Sequence, residues 1–157
     1  MKGRVARTNT IAVAMKSVAY LDNDEFDSRM KIVGEAFEAV KSGSGSDDAW
    51  GDLGVAYNIL VILANERGVL SGQPIEFCRV VAETMKEAYA EFCADRDCRP
   101  TEGQIEVIQA MVDLYRSVLE SVPCRLINKA EMGVNARIQS NTGVLDFTQS
   151  ASPKKVS

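Results

Sequence analysis

The chain has 157 residues, of which 46% are hydrophobic and 25% are charged, and this composition is typical of one soluble folded domain. It argues against a disordered, collagen-like or multidomain protein. No histidine is present, which removes the Ser-His-Asp and Cys-His nucleophile systems, the commonest general base and the commonest metal ligand.

The net charge of −4 is distributed unevenly along the sequence. Residues 1–21 contain four basic and no acidic residues, and residues 123–157 contain five basic and two acidic residues, so residues 22–122 carry a charge of −11. An acidic body disfavours non-specific contact with DNA, whereas short basic ends add contacts to phosphates. The alternative is that the charges only keep the body in solution.

Helical periodicity dominates from about residue 10 to residue 139, and strand-like alternation is nowhere sustained. A first helix is predicted over residues 10–21. A second helix follows a cap at Asn23 or Asp24 and carries the clearest amphipathic stripe of the chain. Four residues of that stripe either pack into the chain's own core or form a homodimer surface: Phe26, Met30, Phe37 and Val40.

The third helix is predicted to be the central and most buried one, because its apolar residues spread beyond a single stripe. A cap at Ser46 or Asp47 begins it, and Gly68 ends it. Pro74 begins a fourth helix. The last two predicted helices are one that follows a capping box of Thr101 and Gln104, and a shorter one over residues 125–139.

These elements predict an all-α, single-domain antiparallel helical bundle of five to six helices with flexible basic termini. A flexible basic N-terminal arm is predicted over residues 1–9, the bundle over residues 10–139, and a flexible tail over residues 140–157. The longest uncharged stretch has 13 residues, too few for a membrane span, so we expect a cytoplasmic protein without a membrane segment.

The four cysteines do not have the spacing of a zinc site. Cys93 and Cys98 are separated by four residues, and no histidine is present to complete a mixed site with Cys78 or Cys124. A chain of this size and apolar content does not need disulfides. We therefore expect reduced thiols, no bound metal and no cofactor.

A ladder of carboxylates runs along the fourth predicted helix. Glu83, Glu87, Glu91 and Asp95 recur every four residues, so they stack on one face and repel each other. The ladder is either a solvated acidic face or a docking surface for a basic partner. A helical di-iron site would need Glu-x-x-His motifs, which a chain without histidine lacks.

The N-terminal arm provides the candidate nucleic-acid contacts, which are Lys2, Arg4 and Arg7. No aromatic residues alternate with these basic residues, and no helix pair presents a basic second helix of the helix-turn-helix type. The sequence therefore predicts phosphate contacts at most, without direct reading of bases.

Residues 7–14, 49–59, 67–70 and 136–140 resemble a group of small helical proteins of unknown function from bacterial prophages, plasmids and genomic islands. The resemblance extends over most of the chain in the order of its elements. It implies an accessory protein of a mobile element. Some proteins of this group are described as Fis-like transcriptional regulators.

Three functional hypotheses follow. The first is a non-enzymatic protein–protein interaction module, an accessory or regulatory factor of a bacterial mobile element, whose protein partner is unknown. The alternative is a nucleic-acid-associated transcriptional regulator that uses its basic terminal arms. A third is an acidic decoy that competes with nucleic acid for a host protein through the ladder and through Asp47, Asp48 and Asp52.

Overall fold

The structure, a computed structural model, describes residues 19–140, with the backbone alone for residues 137–140. This range contains five α-helices and no strand: α1 (Asn23–Ser42), α2 (Asp47–Ala64), α3 (Pro74–Ala94), α4 (Glu102–Ser121) and α5 (Cys124–Ser140). The predicted all-α bundle is confirmed. Residues 19–22 are not helical, and the rest of the first predicted helix lies outside the described residues, as do the arm over residues 1–9 and residues 141–157 of the predicted tail.

Side-chain caps begin three of the helices. Asp22 caps α1 by accepting a hydrogen bond from Glu25 N at 2.8 Å, one position before the predicted cap. Ser46 caps α2 as expected. At the start of α4, Thr101 Oγ1 accepts from Gln104 N at 3.2 Å while Gln104 Oε1 accepts from Thr101 N at 2.9 Å. Each cap satisfies backbone N–H groups that the first turn leaves unpaired, so local sequence defines these helix starts.

The ends of two helices differ from what the positions of the glycines alone predict. Gly43 ends α1 with a left-handed φ of 86°, and its N–H donates to Val40 O at 3.3 Å, so this connection is a structured cap. The third predicted helix was expected to close at Arg67 with Gly68 as the glycine just outside it, but α2 ends at Ala64. Asn65 is the C-cap, two residues before the expected Arg67, and the Asn65 side-chain amide donates to Val61 O at 2.9 Å, which satisfies a terminal carbonyl of the helix.

Helix α2 is the centre of the bundle, as predicted. It packs against each of the other four described helices, and Leu53, Tyr57 and Leu60 have no exposed surface. Burying a large apolar side chain of this kind contributes about 1.5–3 kcal/mol to the stability of the fold.

Helix α5 follows the end of α4 and packs on α2. The two helices approach closely where Gly133 faces Ile62, because a Cβ at Gly133 would lie 3.1 Å from Ile62 Cδ1.

The amphipathic stripe of α1 packs into this core. Met30, Phe37 and Val40 are buried, and Phe26 is partly buried against the same cluster. The stripe is therefore part of the chain's own interior, and the interpretation of these four residues as a homodimer surface is wrong. The neighbouring helices already remove most of their apolar area from water, so the stripe does not form a free apolar surface for a second copy.

Candidate interaction surface

Three of the four ladder residues form what we call the acidic face of α3: Glu83, Glu87 and Glu91. All three are exposed, and no basic side chain among the described residues forms an ion pair with them. Asp95 does not continue the ladder. The helix ends at Ala94, Asp95 has an extended backbone, and its carboxylate accepts a hydrogen bond from Asp97 N at 3.0 Å. The prediction of a four-membered ladder thus failed at the last position because the helix ended before it.

A second row of carboxylates lies on α4. Glu106, Asp113 and Glu120 are exposed and recur every seven residues, which is two helical turns. Like those of the acidic face of α3, these carboxylates form no ion pair among the described residues. Since α3 and α4 pack against each other, the two rows lie on adjacent helices, which also carry the exposed basic residues Arg79, Lys86 and Arg116.

A groove with a volume of about 350 Å³ lies between the beginning of α3, the α2–α3 connection and the second half of α4. We call it the α3–α4 groove. Its apolar lining consists of Val69, Leu70, Phe77, Leu114 and Val118, with proline and alanine beside them. Its polar lining consists of one glutamine and three serines, and no lining side chain is charged.

Helical spacing connects the groove to the acidic row of α4. On α4, Ala110 and Ser117 line the groove, and Asp113 lies three residues after the first and four before the second. Residues three and four apart are neighbours on a helix surface, so the acidic row of α4 borders the groove. On α3, Val80 is 44% exposed and lies three residues from both Phe77 and Glu83. The groove is therefore an uncharged strip bordered by carboxylates on α4, whereas on α3 the first residue of the acidic face, Glu83, lies six residues beyond the last lining residue, Phe77.

No family model, curated protein or solved structure matches the chain.

The candidate nucleic-acid arm, Lys2, Arg4 and Arg7, lies outside the described residues. None of the helices α1–α5 is long and apolar enough to cross a membrane. Within residues 19–140, no group of three acidic or thiol side chains is arranged to hold a metal ion.

The acids at the start of α2 are partly engaged within the fold. Arg96 donates to Asp47 Oδ1 at 2.9 Å, and its guanidinium lies 4.6 Å from the centre of the Phe92 ring. This contact joins the end of α3 to the start of α2. Burial and the neighbouring Asp48 raise the pKa of Asp52 above its usual value. Asp47 and Asp52 thus interact with the fold itself, unlike the residues of the acidic face.

Aromatic residues and thiols serve mainly as packing elements. Trp50, Tyr57 and Tyr115 are buried. The rings of Trp50 and Tyr89 approach to 5.6 Å between centroids, and Tyr89 is only partly buried. The four cysteines are free, and burial raises the pKa of Cys78 to about 11, which makes it an inert small hydrophobic residue.

Sequence reasoning missed the groove and the acidic row of α4. The lining residues of α4 follow the helical repeat, but two of the four are serines, so the sequence pattern is that of a solvent-exposed face. These residues are Ala110, Leu114, Ser117 and Ser121. The exposed Val80 on α3 does not line the groove, so it gives no signal for it. A single exposed apolar residue is common on protein surfaces and does not indicate a groove without the packing of the neighbouring helix.

Proposed function

We propose that the protein is a non-enzymatic interaction module that binds a basic segment of a partner protein through its acidic surface. In this proposal it acts in the cytoplasm as an accessory or regulatory factor of a bacterial mobile element. The mobile-element context is supported by the sequence resemblance alone. The free thiols are in keeping with a reducing compartment.

The observation that carries the proposal is the pair of carboxylate rows on the adjacent helices α3 and α4. In the acidic face of α3, each like-charge pair four residues apart costs a few tenths of a kcal/mol. No described basic side chain offsets this cost by an ion pair. A basic partner would relieve the repulsion, and complementary charge would raise its rate of association and select it over acidic competitors.

The test is affinity capture from bacterial lysate with the full chain as bait, with and without nuclease and at low and high salt. The informative variant is the triple substitution Glu83→Gln, Glu87→Gln and Glu91→Gln. A matched control, Asp27→Asn with Glu35→Gln and Glu38→Gln, removes three exposed negative charges from α1 and changes the net charge equally.

We expect a protein partner that survives nuclease, is lost with the α3 variant and is retained by the α1 control. Recovery of nucleic acid alone, released by nuclease or by high salt, would instead favour the regulator with basic arms. If both variants lost the protein partner equally, the change in net charge alone would explain the loss. The acidic face of α3 would then be rejected as the binding surface.

A further inference from the structure

We propose that the α3–α4 groove binds the apolar stripe of an amphipathic basic helix from another protein, whose cationic side chains pair with the carboxylates bordering the groove. This inference rests on the proposed function and specifies the partner segment. It makes the apolar lining, in addition to the charge, a determinant of binding.

The groove offers apolar surface that the fold leaves incompletely covered. Phe77, Leu114, Val69 and Leu70 all remain partly accessible, whereas Val118 at the base is buried. A volume of about 350 Å³ lies at the lower end of the range of ligand pockets, roughly 300–1,000 Å³. It therefore suits a few side chains of a partner segment, and their burial would add affinity that does not depend on salt.

The surrounding charges select a basic occupant. On the α4 side, Glu106, Asp113 and Glu120 border the lining row. The exposed Arg116 lies next to the last two, which leaves this border with a net negative charge. On the α3 side, Glu83 and Glu87 lie further along the helix, six and ten residues beyond Phe77, so the carboxylates beside the groove are those of α4. A second copy of this chain would bring the same carboxylates against these in a symmetric contact, which like-charge repulsion opposes. A basic segment from a different protein meets both the apolar and the electrostatic requirement.

The walls of the groove favour a helical occupant over an extended one. An extended peptide is held largely by hydrogen bonds to the free edge of a sheet. The walls here are mainly the helices α3 and α4, whose backbone groups are largely paired within each helix, so such an edge is lacking. A helix satisfies its own backbone and presents side chains at spacings of three and four residues. That spacing matches the row formed by Leu114, Ser117 and Ser121.

The test measures fluorescence anisotropy of two labelled 18-residue peptides made of lysine and leucine. In the first, the leucines form one helical stripe; in the second, the same residues are shuffled so that no stripe forms. We expect the full chain to bind the striped peptide at least tenfold more tightly than the shuffled one.

Two groove variants and one control test where this preference arises. Leu114→Gln removes apolar lining, and Ser117→Trp fills the groove from an exposed position that has little influence on folding. Both are expected to reduce binding of the striped peptide to the level of the shuffled one. Ile32→Gln, which replaces a side chain that is 51% exposed on α1, is expected to keep the tenfold preference.

The outcomes separate this inference from the proposed function. If the wild-type chain binds both peptides equally, and the triple substitution of the acidic face weakens both, the groove proposal is overturned while the charge-based function remains. If the groove variants abolish binding and the acidic-face variant has no effect, the proposed function is overturned. A monomer–dimer equilibrium in sedimentation that Leu114→Gln abolishes would also overturn the groove proposal, because a second copy would then be the occupant.

Discussion

Arg29 on α1 and Glu131 on α5, separated by 102 positions in the sequence, are joined by two parallel hydrogen bonds. Arg29 Nε donates to Glu131 Oε2 at 2.9 Å, and Nη2 donates to Oε1 at 2.8 Å. The side chains are only 22% and 29% exposed, and the hydrogen bonds to Glu131 raise the pKa of Arg29. Paired donors and partial shielding from water make this an ion pair that ties the last described helix to the first.

A double-mutant cycle with Arg29→Ala and Glu131→Ala is expected to give a coupling energy of about 1–2 kcal/mol in urea unfolding. The matched control is the pair of Arg79 and Glu76, whose side chains are 48% and 56% exposed. For that pair we expect less than about 0.5 kcal/mol, since solvent screens exposed pairs. Equal coupling in the two cycles would contradict the role assigned to the bidentate geometry.

Gly43→Ala is expected to lower the free energy of unfolding by about 1–2 kcal/mol, because its φ of 86° is unfavourable for a residue with a Cβ. The added Cβ would also lie 2.6 Å from Arg99 Cγ, although that flexible side chain is able to move. Gly34→Ala in the interior of α1 is the control. Its Cβ would meet nothing within 4 Å, so this variant should gain about 0.5–1 kcal/mol. Chemical denaturation measures both; loss of stability in both variants would argue against the assigned cause.

Stability is expected to fall between pH 9 and pH 11 because of Cys78. Burial raises its pKa from an ordinary value of 9.0 to about 11, so the folded state holds the neutral thiol over a range in which the unfolded chain releases the proton. The contribution is fully present below pH 9 and is lost as the pH rises through 11, at up to about 1.4 kcal/mol per pH unit.

Urea unfolding at several pH values, with reductant present, measures this loss for the wild type and for Cys78→Ala. The alanine variant starts less stable but should lose less stability over the same interval. The remaining loss comes partly from Tyr115, whose pKa burial raises to about 12 and which titrates in both proteins. If the free energy of unfolding fell equally with pH in the two proteins, Cys78 would not be the cause of the loss.

Gly133→Ala tests the close approach of α5 to α2. Alanine in a helix interior is favoured over glycine by about 1 kcal/mol, but here its Cβ would lie 3.1 Å from Ile62 Cδ1. Ile62→Val removes that methyl group. The substitution at Gly133 should therefore be more favourable by about 0.5–1 kcal/mol in the Ile62→Val background than in the wild type. Thermal or urea unfolding of the four proteins gives this difference; an additive cycle would indicate that Ile62 rotates away at no cost.

How well the sequence predicts a feature of this structure depends on how far apart the interacting residues lie in the sequence. The capping box of Thr101 and Gln104 lies within four residues, so both partners are visible together in the sequence. The spread of apolar residues on α2 likewise indicated a central helix. The end of α2 was misplaced because Gly68 is a strong stop signal, whereas Asn65 ends the helix through a weaker one.

The candidate site was predicted only in part, for a physical reason. The acidic face lies on one helix and follows from the spacing of Glu83, Glu87 and Glu91. The groove needs the packing of α3 on α4 and the position of the α2–α3 connection. The pairing of Arg29 with Glu131 depends in the same way on contacts between distant parts of the chain, which one sequence does not specify.

The position of α2 at the centre has a consequence for hydrogen exchange. Every other described helix packs against α2, so exposing its amides to solvent requires separating the helices that surround it. Those amides should exchange only through global unfolding, at the full free energy of the transition, whereas the ends of α3 and α5 should open locally at lower cost. The described helices would then behave as one cooperative unit, and a destabilising substitution in any of them should accelerate exchange at Leu53 and Leu60.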